Sequence, residues 1–211
     1  GKLYKAVSKK GSVVEFTAQN EQTLTRWILG ILKTEGKMIT SGAMKQFLEK
    51  TGTDMERIRQ ELEKLICYCM EKESITEEDV AVICSEQTEN KIFDMINAMA
   101  EKKQKKAMEL YYDLLALKEP PMRILYLITR QFNLLMQVKE LSEEGYSAKT
   151  ISERLKMAGF IVRNCLRQAE YFSLKTLKEA LQDCVRMEEA VKTGRMNDVM
   201  SVELLLVKYS S

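Results

Sequence analysis

Hydrophobic positions along the chain follow two rhythms. In residues 3–7 and 13–16 they form short β-branched or aromatic runs, split by Ser8-Lys9-Lys10-Gly11-Ser12, a pattern that predicts strand, turn, strand. Two strands of this length are marginal alone, so they are expected to pack on helices or to belong to a larger sheet. From Asn20 onward the apolar spacing changes from two to about 3.6 residues, and the rest of the chain predicts helix.

Punctuation divides that helical region. A helix over residues 21–35 stops at Gly36, and a shorter one over 41–50 stops at Gly52. Thr53 and Glu56 form a capping-box pattern that opens a third helix, with Ile58, Leu62, Leu65, Ile66 and Cys69 on its apolar face. Together they predict a small three-helix domain. Thr76 with Asp79 caps the short segment Glu77-Glu78-Asp79-Val80, and the polar stretch 85–90 is the expected domain boundary. Helices over 91–100 and 105–118 follow, until Pro120-Pro121 ends one and suits the start of the next. That next helix is the longest, with Ile124, Leu125, Ile128, Phe132, Leu135 and Val138 on one stripe up to Gly145. Ser147 caps a helix expected to end near Gly159, and residues 160–172 form another. Ser173 opens a long helix that stops at Gly194, and a terminal helix carries Val199, Val202, Leu205, Leu206 and Tyr209. The fold class is therefore all-α, with a short β remnant at the N-terminus.

Composition narrows the chemistry. With 211 residues and 45% apolar content the chain can bury a core without staples. Lysine plus arginine (33) nearly balances aspartate plus glutamate (31), so the net charge of +2 drives no global attraction to nucleic acid or anionic membrane. Histidine is absent, which removes the commonest general base and transition-metal ligand. No Gly-rich phosphate loop is present, Cys67 and Cys69 point to different sides of a helix, and Glu77-Glu78 and Glu188-Glu189 fall at cap or exposed positions. No catalytic residue, metal site or cofactor is expected. The five cysteines are scattered through helical patterns, which suits a reducing cytosol. No apolar run reaches a membrane span of about 18 residues, and the N-terminus lacks a signal-peptide core. A start at Gly1, entering directly into a strand pattern, predicts a fragment.

Several basic groups admit two readings. The run Lys102-Lys103 and Lys105-Lys106 is flanked by Glu101 and Glu109 and fits a solvated helix junction better than a phosphate site. Arg163 and Arg167, four apart beside Lys156, could face DNA or an acidic protein surface, or simply water. The third helix mixes Arg57 and Arg59 with Glu56, Glu61 and Glu63, unlike a uniformly basic recognition helix. The thirteen methionines fit adaptable cores or interfaces.

Arg59-Gln60-Glu61-Leu62-Glu63-Lys64-Leu65 and Ile75-Thr76-Glu77-Glu78-Asp79-Val80 resemble the delta subunit of the bacterial DNA polymerase III clamp loader. Ile92-Phe93-Asp94, Lys106-Ala107-Met108-Glu109-Leu110, Pro120-Pro121, Arg130-Gln131-Phe132 and Val138-Lys139-Glu140-Leu141 look like that family's collar pattern, in its order. Phe172-Ser173-Leu174, Lys192-Thr193-Gly194-Arg195 and Glu203-Leu204-Leu205 extend the likeness to the C-terminus. Asn133 and Glu188 depart from it, where a basic residue and an aspartate are usual. The resemblance implies that residues 1–18 end a truncated AAA+-like N-terminal domain, 19–86 form a helical lid and 87–211 a helical collar that serves oligomerisation. It implies a cytoplasmic, non-catalytic subunit of the polymerase holoenzyme, assembled with the clamp-loader ATPase and delta-prime subunits. Contact with the sliding clamp would run through the missing N-terminal domain, and with primed DNA only indirectly. Within it Arg130, Gln131, Lys192 and Arg195 are the expected subunit-interface residues, and Arg163 and Arg167 the expected contacts to DNA or an acidic surface. The rival class is a helical nucleic-acid-binding regulator.

Overall fold

The structure, a computed structural model, describes residues 2–14, 19–84 and 88–210. The chain opens with α1 (Lys2–Lys10), a helix where the sequence predicts a strand. Leu3 and Val7 are four apart, so the same residues satisfy a helical stripe, and Lys9 and Lys10 in the last turn complement the helix dipole. Val13 and Val14 lie in no regular element, and the rest of the second expected strand falls outside the described residues. The β remnant is thus elsewhere: β1 (Met38–Ile39) and β2 (Ser74–Ile75) pair in parallel, Met38 opposite Ser74 and Ile39 opposite Ile75. Two-residue strands leave no periodicity to read, so only the tertiary fold reveals them.

That small ladder ties together α2 (Glu21–Thr34), α3 (Ser41–Thr51), α4 (Met55–Tyr68) and α5 (Glu77–Ile83). Four helices, not three, build this first unit, because α5 contributes Val80 to the core formed by Leu24, Ile28, Phe47, Ile58, Leu62 and Leu65. Every one of these side chains is essentially inaccessible to water, and each contributes about 1.5–3 kcal/mol on burial. Asp54, not Thr53, caps α4, accepting from the Arg57 amide at 2.8 Å, while Glu56 accepts from the Gln60 side chain. At α5 the expected capping box forms between Thr76 and Asp79.

The second unit contains α6 (Thr88–Ala100), α7 (Gln104–Ala116), α8 (Pro121–Glu143), α9 (Ala148–Leu155), α10 (Gly159–Ala169), α11 (Leu174–Lys192) and α12 (Asp198–Ser210). As its stripe predicts, α8 is central, packing against α6, α9, α10, α11 and α12. Phe132 sits at the middle of this core, edge-on to Phe172 with ring centres 6.0 Å apart and tilted against Tyr209 at 5.9 Å. α9 stops at Leu155 rather than at Gly159, which instead opens α10. Lys156 closes α9 at φ 53°, and Lys102 and Lys118 adopt the same left-handed conformation at 59° and 61°. At α9 a lysine in the position usually held by glycine hides the stop from sequence reading, whereas the stops expected at residues 100 and 118 fall at or within two residues of the ends of α6 and α7.

Lysine ammonium groups also reach across the fold to helix ends. Lys37 Nζ donates to three carbonyls beyond α4, those of Cys69, Met70 and Lys72, at 2.8, 2.7 and 2.6 Å. Lys50 Nζ donates to the carbonyls of Ala81 and Cys84 at the end of α5, and Lys139 Nζ to that of Ala169 at the end of α10. Each places positive charge on carbonyls that the helix leaves unpaired.

Candidate functional site

A groove of about 930 Å³ separates the two units. One wall comes from α8 and α10. Arg123, Leu127, Arg130 and Leu134, spaced by four, three and four residues, lie along α8, and Phe160, Ile161, Asn164 and Arg167 line the groove from α10. The opposite wall is the junction of α3 and α4, with Glu49, Lys50, Asp54, Glu56 and Arg57, while Phe93 and Asp94 of α6 complete the lining. The charged groups of the α8 and α10 wall are therefore all arginines. Across from them carboxylates outnumber cations, and Lys50 is held by the carbonyls at the end of α5.

The residues singled out from the sequence take different places. Arg130 is exposed on the groove wall and makes no hydrogen bond or ion pair among the described residues. Gln131, the next residue, turns inward, and its Nε2 donates to Gln168 Oε1 at 2.7 Å. Gln168 in turn donates to the Phe93 carbonyl at 2.9 Å and to Asn97 Oδ1 at 2.8 Å, so an amide chain ties α8, α10 and α6. Its central member is only 1% exposed, which makes every one of these bonds costly to break. Arg167 lines the groove and donates to Asn164 Oδ1 at 2.6 Å. Arg163, one turn earlier, reaches instead to Glu21 of α2, Nη2 to Oε2 at 3.2 Å. Lys192 and Arg195 lie outside the groove and bind carboxylates of α11, Lys192 to Glu188 at 2.5 Å and Arg195, from the turn after that helix, to Glu189 at 2.7 Å. The structure thus brings Arg130, Gln131 and Arg167 to one groove and leaves Lys192 and Arg195 apart.

Sequence reading missed Arg123, Glu21 and Asn90. Arg123 could have been found from the spacing of Arg123, Leu127, Arg130 and Leu134, whereas the Glu21 to Arg163 contact spans 142 residues and leaves no local trace. Asn90 donates to the carbonyls of Glu49 and Lys50 at 3.1 and 3.4 Å, joining the start of α6 to the end of α3. The basic run near Lys103 is a solvated junction, with Lys103 paired to Glu101 at 2.7 Å and Lys106 to Glu109 at 4.0 Å.

Among the cysteines, Cys67 is exposed and Cys69 buried, on different sides as their spacing requires. Cys165, behind the groove wall, is pushed up to about 11 by burial, so it stays a neutral thiol. No group of three or more Cys, Asp or Glu side chains among the described residues is placed to hold a metal ion. Likewise, no described helix is long and apolar enough to cross a membrane. Guanidinium donors beside an apolar surface form a contact set suited to binding and orienting a partner.

Two helical cores on either side of a charged groove, the larger wound around one long helix, define an all-helical protein of two units. The family model described as "DNA polymerase III delta subunit, C-terminal domain" matches residues 89–209, the whole of the larger core. The chain belongs to the DNA polymerase III delta subunit family. It is 31% identical over 207 residues to DNA polymerase III subunit delta of Bacillus subtilis, covering 98% of this chain and 60% of that protein. It is 25% identical over 142 residues to a probable DNA polymerase III subunit delta of Aquifex aeolicus, covering 67% of this chain and 41% of the relative. The solved structure of the Bacillus subtilis DNA clamp loader delta protein superposes with a TM-score of 0.81 at 31% identity, covering 100% of this chain and 62% of that one. The chain therefore spans about 60% of the length of the first of these relatives.

Proposed function

We propose that this chain acts in a DNA polymerase III clamp loader as the lid and collar part of its delta subunit, supplying position rather than chemistry. It assembles in the cytoplasm with the clamp-loader ATPase subunits and delta-prime, and so helps to load the sliding clamp on primed DNA. Clamp contact belongs to a domain of the delta subunit N-terminal to the lid. In this reading residues 1–18 end that domain, 19–86 form the lid and 87–211 the collar. The observation that carries it is the family match over 89–209, which falls on the core wound around α8, together with the superposition of the whole chain on a clamp-loader delta protein. The two separate hydrophobic cores support the lid and collar division. The nucleic-acid-regulator alternative has no comparable support, since Arg163 pairs with Glu21 and carboxylates line the groove opposite its arginines.

Light-scattering chromatography tests the proposal. The chain is mixed with the matching ATPase and delta-prime subunits, with and without the sliding clamp. Co-elution in one assembly that does not recruit clamp through this chain is the expected result. No association, with partners shown to be competent using full-length delta, overturns it.

A further inference from the structure

Polar contacts join the two helical units. Neither hydrophobic core borrows a buried residue from the other. Between them lies the groove of about 930 Å³, so no continuous apolar interface fixes their angle. Two polar links between them lie among the described residues. At the first, Asn90 donates to the Glu49 and Lys50 carbonyls in the last turn of α3. Two residues earlier in α6 the chain is anchored to the larger unit, because Thr88 Oγ1 donates to Glu119 Oε1 at 2.8 Å. Asn90 therefore sits where the chain passes from one unit to the other and holds the end of α3 at that point.

The second link is the ion pair between Arg163 of α10 and Glu21 of α2, at 3.2 Å. It lies beside Gly159, where an added Cβ would come to 3.3 Å from Arg163 Nη1 and 3.9 Å from Glu21 Oε2. Both partners stay in contact with water, with side-chain exposures of 58% for Arg163 and 37% for Glu21. A pair of this kind is weak and screened by salt, hence easily made and broken. We propose that Glu21 and Arg163 form a reversible electrostatic latch that sets the angle between the two units, with Asn90 as the pivot. The latch goes beyond the assembly role proposed above and does not depend on it.

Native Cys67 provides the means to test it, since it is the exposed cysteine on the smaller unit and the other four are buried. A second cysteine at Lys175→Cys, where the side chain is 86% exposed, puts a probe on α11 of the larger unit. Nitroxide labels at the two positions report the distance between units by double electron–electron resonance, and circular dichroism checks that each variant is folded. Glu21→Gln and Arg163→Met are each expected to shift the ratio of latched to unlatched distances by about two- to fivefold. About 1 M sodium chloride should move the unmutated pair in the same direction. The charge swap Glu21→Arg with Arg163→Glu should restore the original distribution. A distribution unchanged by either single substitution and by salt overturns the latch. So does a change that the swap does not reverse, because the effect then lies in side-chain packing rather than in charge.

Discussion

Gln168 shows how a single buried polar side chain organises the larger core. Removing its amide takes a hydrogen-bond partner from Asn97 Oδ1, the Phe93 carbonyl and Gln131 Nε2, all of them part-buried. Gln168→Ala is expected to cost about 2–3 kcal/mol, read as a lower urea midpoint with an unchanged slope. Asp79 is the titrating counterpart. The hydrogen bond from Lys72, then that from the Thr76 amide, hold its carboxyl down at about 2, below the usual carboxylate range. At Asp183 burial pushes the other way, but hydrogen bonds from Lys208 at 2.5 Å and Tyr209 at 2.7 Å outweigh it, and the carboxyl is again lowered. A carboxyl lowered in the folded state binds fewer protons there than in the unfolded chain. Its contribution is fully present above the unfolded value of about 4 and is lost as pH falls through the folded one. Urea titrations at pH 5 and pH 2.5 should therefore show a smaller acid-induced loss in Asp79→Asn than in the unmutated chain. Gln131 and Asp79 were both visible in the sequence, one as part of a motif and the other as a cap. Their partners, the buried Gln168 and the exposed Lys72, were not, because each is brought in by a different turn or helix.

At the scale of elements, helix ends rather than helix middles separated expectation from structure. The apolar stripes of α4 and α8 were legible because a period of 3.6 is written locally. Some stops were less so, since Lys156 takes the left-handed turn that closes α9 and Lys37 caps α4 from 32 residues away. Lys37→Met is expected to cost about 1–2 kcal/mol and to speed amide exchange in the last turn of α4. Exchange as slow as in the unmutated chain would mean that water replaces the ammonium without loss. For α8, Phe132→Ala removes the ring at the centre of the larger core and should cost about 3–5 kcal/mol in the same denaturant measurement.

Over the whole molecule, the groove and the two cores decide which charges are available to a partner. Arg130 has no partner among the described residues, whereas Lys192 and Arg195 are paired with carboxylates of α11. In the assembly proposed above, Arg130→Glu is expected to weaken co-elution with the ATPase and delta-prime subunits, while Lys192→Ala and Arg195→Ala leave it intact. Equal effects from all three substitutions would show that position in the groove is not what matters. Arg163 is the case in which sequence and structure part: its spacing from Arg167 suggested a cationic face, yet the fold turns it to Glu21.

By itself the sequence determined the helical class, the long central helix, the cap at Thr76 and the order of motifs that places the chain in its family. All of these depend on neighbours within a few turns. Only the tertiary structure decided that residues 2–10 are helical, that two dipeptides 36 residues apart form a parallel ladder, and that Arg163 and Asn90 join the two cores. Pairings between distant segments are selected by burial and charge across the folded molecule, which no local spacing encodes.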